Sequence, residues 1–144
     1  SVMLSSKQHE IAGFVDKKLN EIDTLQRKFN DFKMSIAEND KNNLVFMGNA
    51  AIFVASFYDV DMMRELANYG MTQKEICVIF SGNEESGFSY VAGSLSFDMN
   101  KFAKHFNSAL NGRGGGRGTM IQGKVTALKQ DIINYFNSLD LKSI

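Results

Sequence analysis

The sequence predicts an α/β layer fold, a mixed sheet of about four to five strands flanked by helices, preceded by a long N-terminal coiled-coil-like helix. Three observations predict it. Residues 4–36 carry an apolar repeat with the period of a helix seam. From residue 44 on, β-branched and aromatic runs alternate with segments of helical period. No proline interrupts either kind of element. The 144 residues suffice for one domain with an appendage, divided at residues 1–40 and 41–144, and 44% apolar content with 12 Phe marks a chain that buries a core.

In the first segment the apolar positions are Leu4, Ile11, Val15, Ile22, Leu25, Phe29, Phe32 and Ile36, with steps of 7, 3, 4, 3 and 4 from Val15 onward. That spacing keeps one stripe on a seam. The seam can serve an ordinary amphipathic helix, a dimer or a long linker. Glu38–Asn43 is expected to end the helix as a turn. Leu44–Met47 and Ala51–Phe57 read as strands of a hairpin around Gly48-Asn49. Asp59 or Asp61 then caps a helix that buries Met62, Met63, Leu66 and Ala67 and stops at Gly70. Ile76–Phe80 is a continuous apolar run and reads as a strand covered on both faces. Ser81–Gly87 is expected to be a turn. Phe88–Leu95 alternates, with Phe88, Tyr90 and Ala92 on one side. Asp98 caps a helix from Met99 to about Leu110. A last helix is expected from Lys124 to Leu139.

Between those two helices lies Asn111–Gly123, NGRGGGRGTMIQG, which holds six of the chain's twelve glycines. Clustered glycine points to positive-φ backbone or to close approach of the backbone to a ligand. Arg113 and Arg117 bracket the triple glycine, and free N–H groups between guanidinium groups suit a phosphate. The formal net charge is zero, so total charge selects no partner. From Met99 to Gln130, however, there is no Asp or Glu, while Lys101, Lys104, Arg113, Arg117, Lys124 and Lys129 are all present.

Several chemistries are excluded. His9 and His105 have no metal-ligand spacing, and Cys77 sits in an apolar run, so no zinc set forms. No GxSxG elbow occurs, and the basic block has no carboxylate pair for acid–base work. Arg117-Gly118-Thr119 does not supply the Walker lysine. A single cysteine excludes an internal disulfide and fits a reducing, cytoplasmic setting. No apolar run is long enough to span a membrane. The chain opens Ser-Val-Met straight into a helical pattern, from which we expect a fragment with a further domain upstream.

The element order ending in DMNKFAKHFNSAL and GRGGGRGTMIQG resembles the DHHA1-type domain at the C-terminus of alanyl-tRNA synthetases and of stand-alone alanyl-tRNA editing proteins. The resemblance covers residues 44–138, and makes 41–144 a DHHA1-like domain. Gly114, Gly115, Gly116, Arg117, Gln122 and Gly123 match the motif, and Asn111 stands where the family often has glycine. The resemblance implies tRNA as partner, alanine-specific, and a homodimer through the N-terminal helix. With Arg113, Thr119, Lys124, Lys101 and Lys104 added from the charge pattern, these are the candidate nucleic-acid-binding residues. The related phosphoesterases carry histidine at the position of Arg117, which argues against a substrate-gripping half of that enzyme class. That class and a purely structural dimerisation module stay as alternatives. The relatives' editing chemistry uses zinc on HxxxH and CxxxH, both absent here. No catalytic residue and no cofactor are therefore expected in this chain, and zinc is expected in an editing hydrolase domain of the parent.

Overall fold

The computed structural model describes residues 2–116 and 118–144, with side chains described from residue 21 onward except at 143. Two compact units are present, Ser1–Ile36 and Ala37–Ile144. The first unit is helix. Helix α1 runs Val2–Asp40, past the expected stop, so that Ala37 is fully buried in the second unit. Its last turn is fixed there: Asp40 accepts a hydrogen bond from the Tyr58 hydroxyl, and Lys41 pairs with Glu38 at 2.6 Å. Lys41–Asn43 forms a single tight helical turn instead of an open one.

The body is a six-stranded sheet of order β1-β2-β3-β4-β6-β5, more strands than the four to five expected. Strands β1 (Val45–Met47) and β2 (Ala50–Ala55) form the expected hairpin, and Gly48 takes φ 57° in its two-residue turn. Asp59 then accepts a hydrogen bond from the Met62 amide at 2.9 Å and starts α2 (Val60–Gln73). The chain returns in β3 (Ile76–Asn83), parallel to β2. Gly70 does not stop α2. It lies buried inside the helix because a Cβ there would stand 2.8 Å from the Cβ of Cys77, so glycine is what lets the helix lie close on the strand.

Strand β4 (Gly87–Gly93) is antiparallel to β3, and the turn between them is shorter than expected because β3 continues to Asn83. Asp98 caps α3 (Met99–Leu110), and Asn111 closes that helix at φ 52°, a left-handed position that asparagine tolerates well. Strands β5 (Gly112–Gly115) and β6 (Met120–Val125) follow, then α4 (Lys129–Ser138). One segment that the sequence left without an element takes one here, and one expectation is corrected. The glycine stretch is a hairpin of the sheet, with β5 at its edge. Lys124 is a strand residue, and the last helix begins five positions later. Val125 is fully buried opposite Phe88, which commits the segment to β6. The Glu84 carboxylate accepts the Lys129 amide at 2.9 Å and sets where α4 begins.

Strand alternation divides the core. Ile76, Val78, Phe80, Phe88, Tyr90 and Ala92 face α3 and α4, and Cys77, Ile79 and Val91 face α2. Burial pushes the Cys77 thiol up to about 12, and raises the phenols of Tyr90 and Tyr135 above their ordinary values. The folded chain therefore holds these protons more tightly than the unfolded chain. Their contribution is complete below the thiol's ordinary value of 9.0 and is lost as pH rises above it. We expect these groups to add no slope to Tm below that value and to make Tm fall steadily above it in thermal scans. An unchanged Tm in the alkaline range would contradict this. In the native protein, alkylation of Cys77 should wait on unfolding.

Candidate nucleic-acid interface

Cross-strand register builds the site. On the face turned toward α2, one row runs Ser81, Ser89, Lys124, Arg113 across β3, β4, β6 and β5, and the next runs Ile79, Val91, Gln122, Gly115. Residues directly opposite in an antiparallel pair share a face with Cβ atoms about 5 Å apart. Arg113 and Lys124 are such a pair, and both are exposed. Helix α2 covers the middle strands and leaves this end of the sheet uncovered. From its flank Arg64 reaches over and donates from Nη2 to Oε1 of Gln122 at 2.9 Å. Three cations thus border one open surface, and among the described residues none of them pairs with a carboxylate.

On the same helix Glu65 is directed elsewhere: it stands 3.8 Å from Lys41, near the end of α1. Arg64 is the functional candidate that sequence reasoning missed. It lies far from the glycine stretch in sequence, and only the position of β6 beside β4 brings it there.

The glycines divide by role. Gly114 and Gly123 oppose each other on the far face, over the Tyr90 hydroxyl. A Cβ on Gly123 would stand 2.7 Å from the Gly114 Cα and 2.9 Å from that hydroxyl, and would run into the Arg113 carbonyl. A Cβ on Gly112 would meet Asn107 Oδ1 at 2.6 Å, and one on Gly116 the Met120 carbonyl at 2.7 Å. Gly118 has φ 78° with open space around it. These positions have reasons internal to the hairpin. Gly115 has none: nothing lies within 4 Å of a Cβ placed there, and its φ is not in the left-handed range. Tyr90 and Asn107 hold the hairpin from below. The Tyr90 hydroxyl donates to Asn107 Oδ1 at 2.9 Å, and Asn107 Nδ2 donates to the Gly114 carbonyl at 3.4 Å.

The structure therefore brings Arg113, Gly115, Gln122 and Lys124 together and adds Arg64. Gly114 and Gly123 turn to the other face, and Thr119 lies exposed in the turn. Lys101 and Lys104 are exposed on α3, on the opposite side of the sheet, so the basic block of the sequence is split between two surfaces. Arg117 lies outside the described residues. Among the described residues no three His, Cys, Asp or Glu converge on a metal position, and no helix is long and apolar enough to cross a membrane. His105 Nδ1 lies 2.7 Å from the Tyr135 hydroxyl, away from the hairpin's open face.

Residues 48–139 match the family model described as the DHHA1 domain. A search of curated proteins finds no match. Among solved structures, the crystal structure of the C-Ala domain from Aquifex aeolicus alanyl-tRNA synthetase is similar, with TM-score 0.50 and 18% identity, over 65% of this chain and 94% of that one. At that identity the similarity is one of fold.

Proposed function

Since this chain belongs to the DHHA1 domain family, with the fold of a synthetase C-Ala domain, we propose that it is a tRNA-binding domain of an alanyl-tRNA synthetase-related protein. The RNA backbone lies across the open end of the sheet. The observation that carries this reading is the side-by-side placement of Arg113 and Lys124 with Arg64 beside Gln122 and an unobstructed Gly115 between strand edge and solvent. Guanidinium groups fork onto phosphate oxygens and the lysine adds a point charge. A glycine without side-chain neighbours lets a phosphate approach the edge strand's backbone. The cations on this surface support gripping an RNA backbone. In this reading the parent acts on mischarged alanine tRNA in the cytoplasm, and any zinc editing centre lies outside the described residues.

Replacing Arg64 and Arg113 by alanine tests it. Affinity for alanine tRNA should fall at least tenfold, on the order of the cost of leaving two phosphates without their cations. The slope of log affinity against log salt should flatten by about 0.7–0.9 for each phosphate that is no longer neutralised. Unchanged affinity in the double variant would sink the reading.

The N-terminal helix pairs with a second copy in the same proposal. Ile22, Leu25, Phe29 and Phe32 keep the seam spacing and are all more than half exposed. An apolar stripe of that length is unusual on a monomer. Wild-type protein should sediment as a dimer, and Phe29→Ser with Phe32→Ser should return it to a monomer. A monomeric wild type at micromolar concentration would remove the dimer while leaving the RNA reading intact.

A further inference from the structure

We propose that the cavity between α2 and the β4–β6 pair takes one unstacked nucleobase of the bound RNA. This rests on the RNA-binding reading above and names which part of the RNA the surface selects. The cavity measures about 210 Å³, lined by Val60 and Met63 from the helix and by Ser89, Tyr90, Val91, Gln122 and Gly123 from the strands. Sites for whole drug-sized ligands run from roughly 300 Å³ upward. This one is too small for a complete nucleotide and suits a planar ring, with sugar and phosphate left outside on the cations.

Its chemistry agrees. Val60 gives exposed apolar surface on the helix side, and the buried Met63 and Val91 make an apolar floor, which suits a base packed against apolar side chains. Gly123, whose Cβ position turns to the opposite face over the Tyr90 hydroxyl, gives only backbone to that part of the wall. Polar groups stand at the edge: the Ser89 hydroxyl and the Gln122 amide. Arg64 occupies Oε1 of Gln122 at 2.9 Å, which orients the amide and leaves its NH₂ as donor toward a base acceptor. Val60, at the rim, is 43% exposed. Charge chooses the occupant. An apolar cleft bordered by Arg64, Arg113 and Lys124, with Glu65 directed to Lys41 instead, favours an aromatic ring carried on a polyanion over an apolar peptide or a second copy.

A fully paired RNA helix hides its base faces, whereas a bulge or loop offers one. The test compares a short, fully paired RNA hairpin with the same hairpin carrying one bulged 2-aminopurine, by anisotropy and by the probe's own fluorescence. The wild-type chain should bind the bulged hairpin about tenfold more tightly and change the probe's emission on binding. Val60→Trp, which fills the cavity, should abolish that preference. Gln122→Leu, which keeps the shape and removes the amide, should reduce it, and serves if the tryptophan variant does not fold. Equal wild-type affinity for both hairpins, or a preference that survives Val60→Trp, overturns the base site while RNA binding stands. Failure of the wild type to bind either hairpin or alanine tRNA overturns both readings.

Discussion

Gly123→Ala should lower the stability of this chain by about 3 kcal/mol or more, a loss typical of forced overpacking against atoms that cannot move aside. The added methyl meets backbone on the neighbouring strand: the Arg113 carbonyl, and the Gly114 Cα at 2.7 Å. Beneath it the Tyr90 hydroxyl is held by Asn107 and cannot swing away. The only relief is to separate β5 from β6. That movement takes Arg113 from its place opposite Lys124, so RNA affinity should fall along with Tm, even at temperatures where the variant is folded. For a domain of this size the Tm loss is about 10 °C or more. Gly115→Ala is the control. With open space around its Cβ and no left-handed φ, it should shift stability by less than about 0.5 kcal/mol. Its effect should be confined to RNA binding, because only an approaching phosphate meets the new methyl. A Gly123→Ala variant with wild-type Tm would contradict the hairpin packing. A Gly115→Ala variant with full RNA affinity would place the phosphate elsewhere on the surface.

This contrast shows what the glycine stretch hid in sequence. Read along the chain, NGRGGGRG is a loop, because glycine carries neither strand propensity nor periodicity. Its strand character comes from outside itself. Gly112 and Gly114 have to be small because Val125 and Gly123 lie against them, and those neighbours are supplied by a segment that resembles the start of a helix. Val125, Leu128, Ile132 and Phe136 fall at helical spacing, yet Val125 is buried in the sheet and Leu128 is exposed. Periodicity joined a strand end to a helix, and with it Lys124 was expected on the wrong kind of element. Arg64 was invisible for a related reason: its neighbour Gln122 is a tertiary fact. Conversely, the hairpin at Gly48, the caps at Asp59 and Asp98, the two-sided strand at Ile76–Phe80 and the face of α3 were legible. Each is decided within a few residues by one strong local term. Arg113 and Gln122 lay between these cases. They stood out as candidates by residue type, but the face they share was not legible.

Phe106→Ala should be the largest single loss in the body, about 3–5 kcal/mol as for other buried aromatic truncations. Its ring is fully buried and is stacked on Phe102 at 5.2 Å, meets Tyr90 edge-on at 4.9 Å, and lies within 6.0 Å of Phe80, Tyr135 and Phe136. It therefore joins α3, α4 and two strands at once, and its removal leaves a void among rings held by their own contacts. For a domain whose net stability is on the order of 5–15 kcal/mol, that is about a fifth of the total or more. Phe106→Leu, which keeps most of the volume, should lose far less, and urea titrations of the pair should show a lower midpoint with little change in slope. The functional signature separates this variant from Gly123→Ala. Phe106 lies on the α3–α4 side of the sheet, whereas Arg64, Arg113 and Lys124 lie on the α2 side. Below its melting transition, Phe106→Ala should therefore keep wild-type RNA affinity and salt slope. A matching loss of affinity in the folded state would mean that α3, through Asn107 and the Gly114 carbonyl, sets the pitch of the hairpin. In that case the two faces of the sheet are mechanically linked.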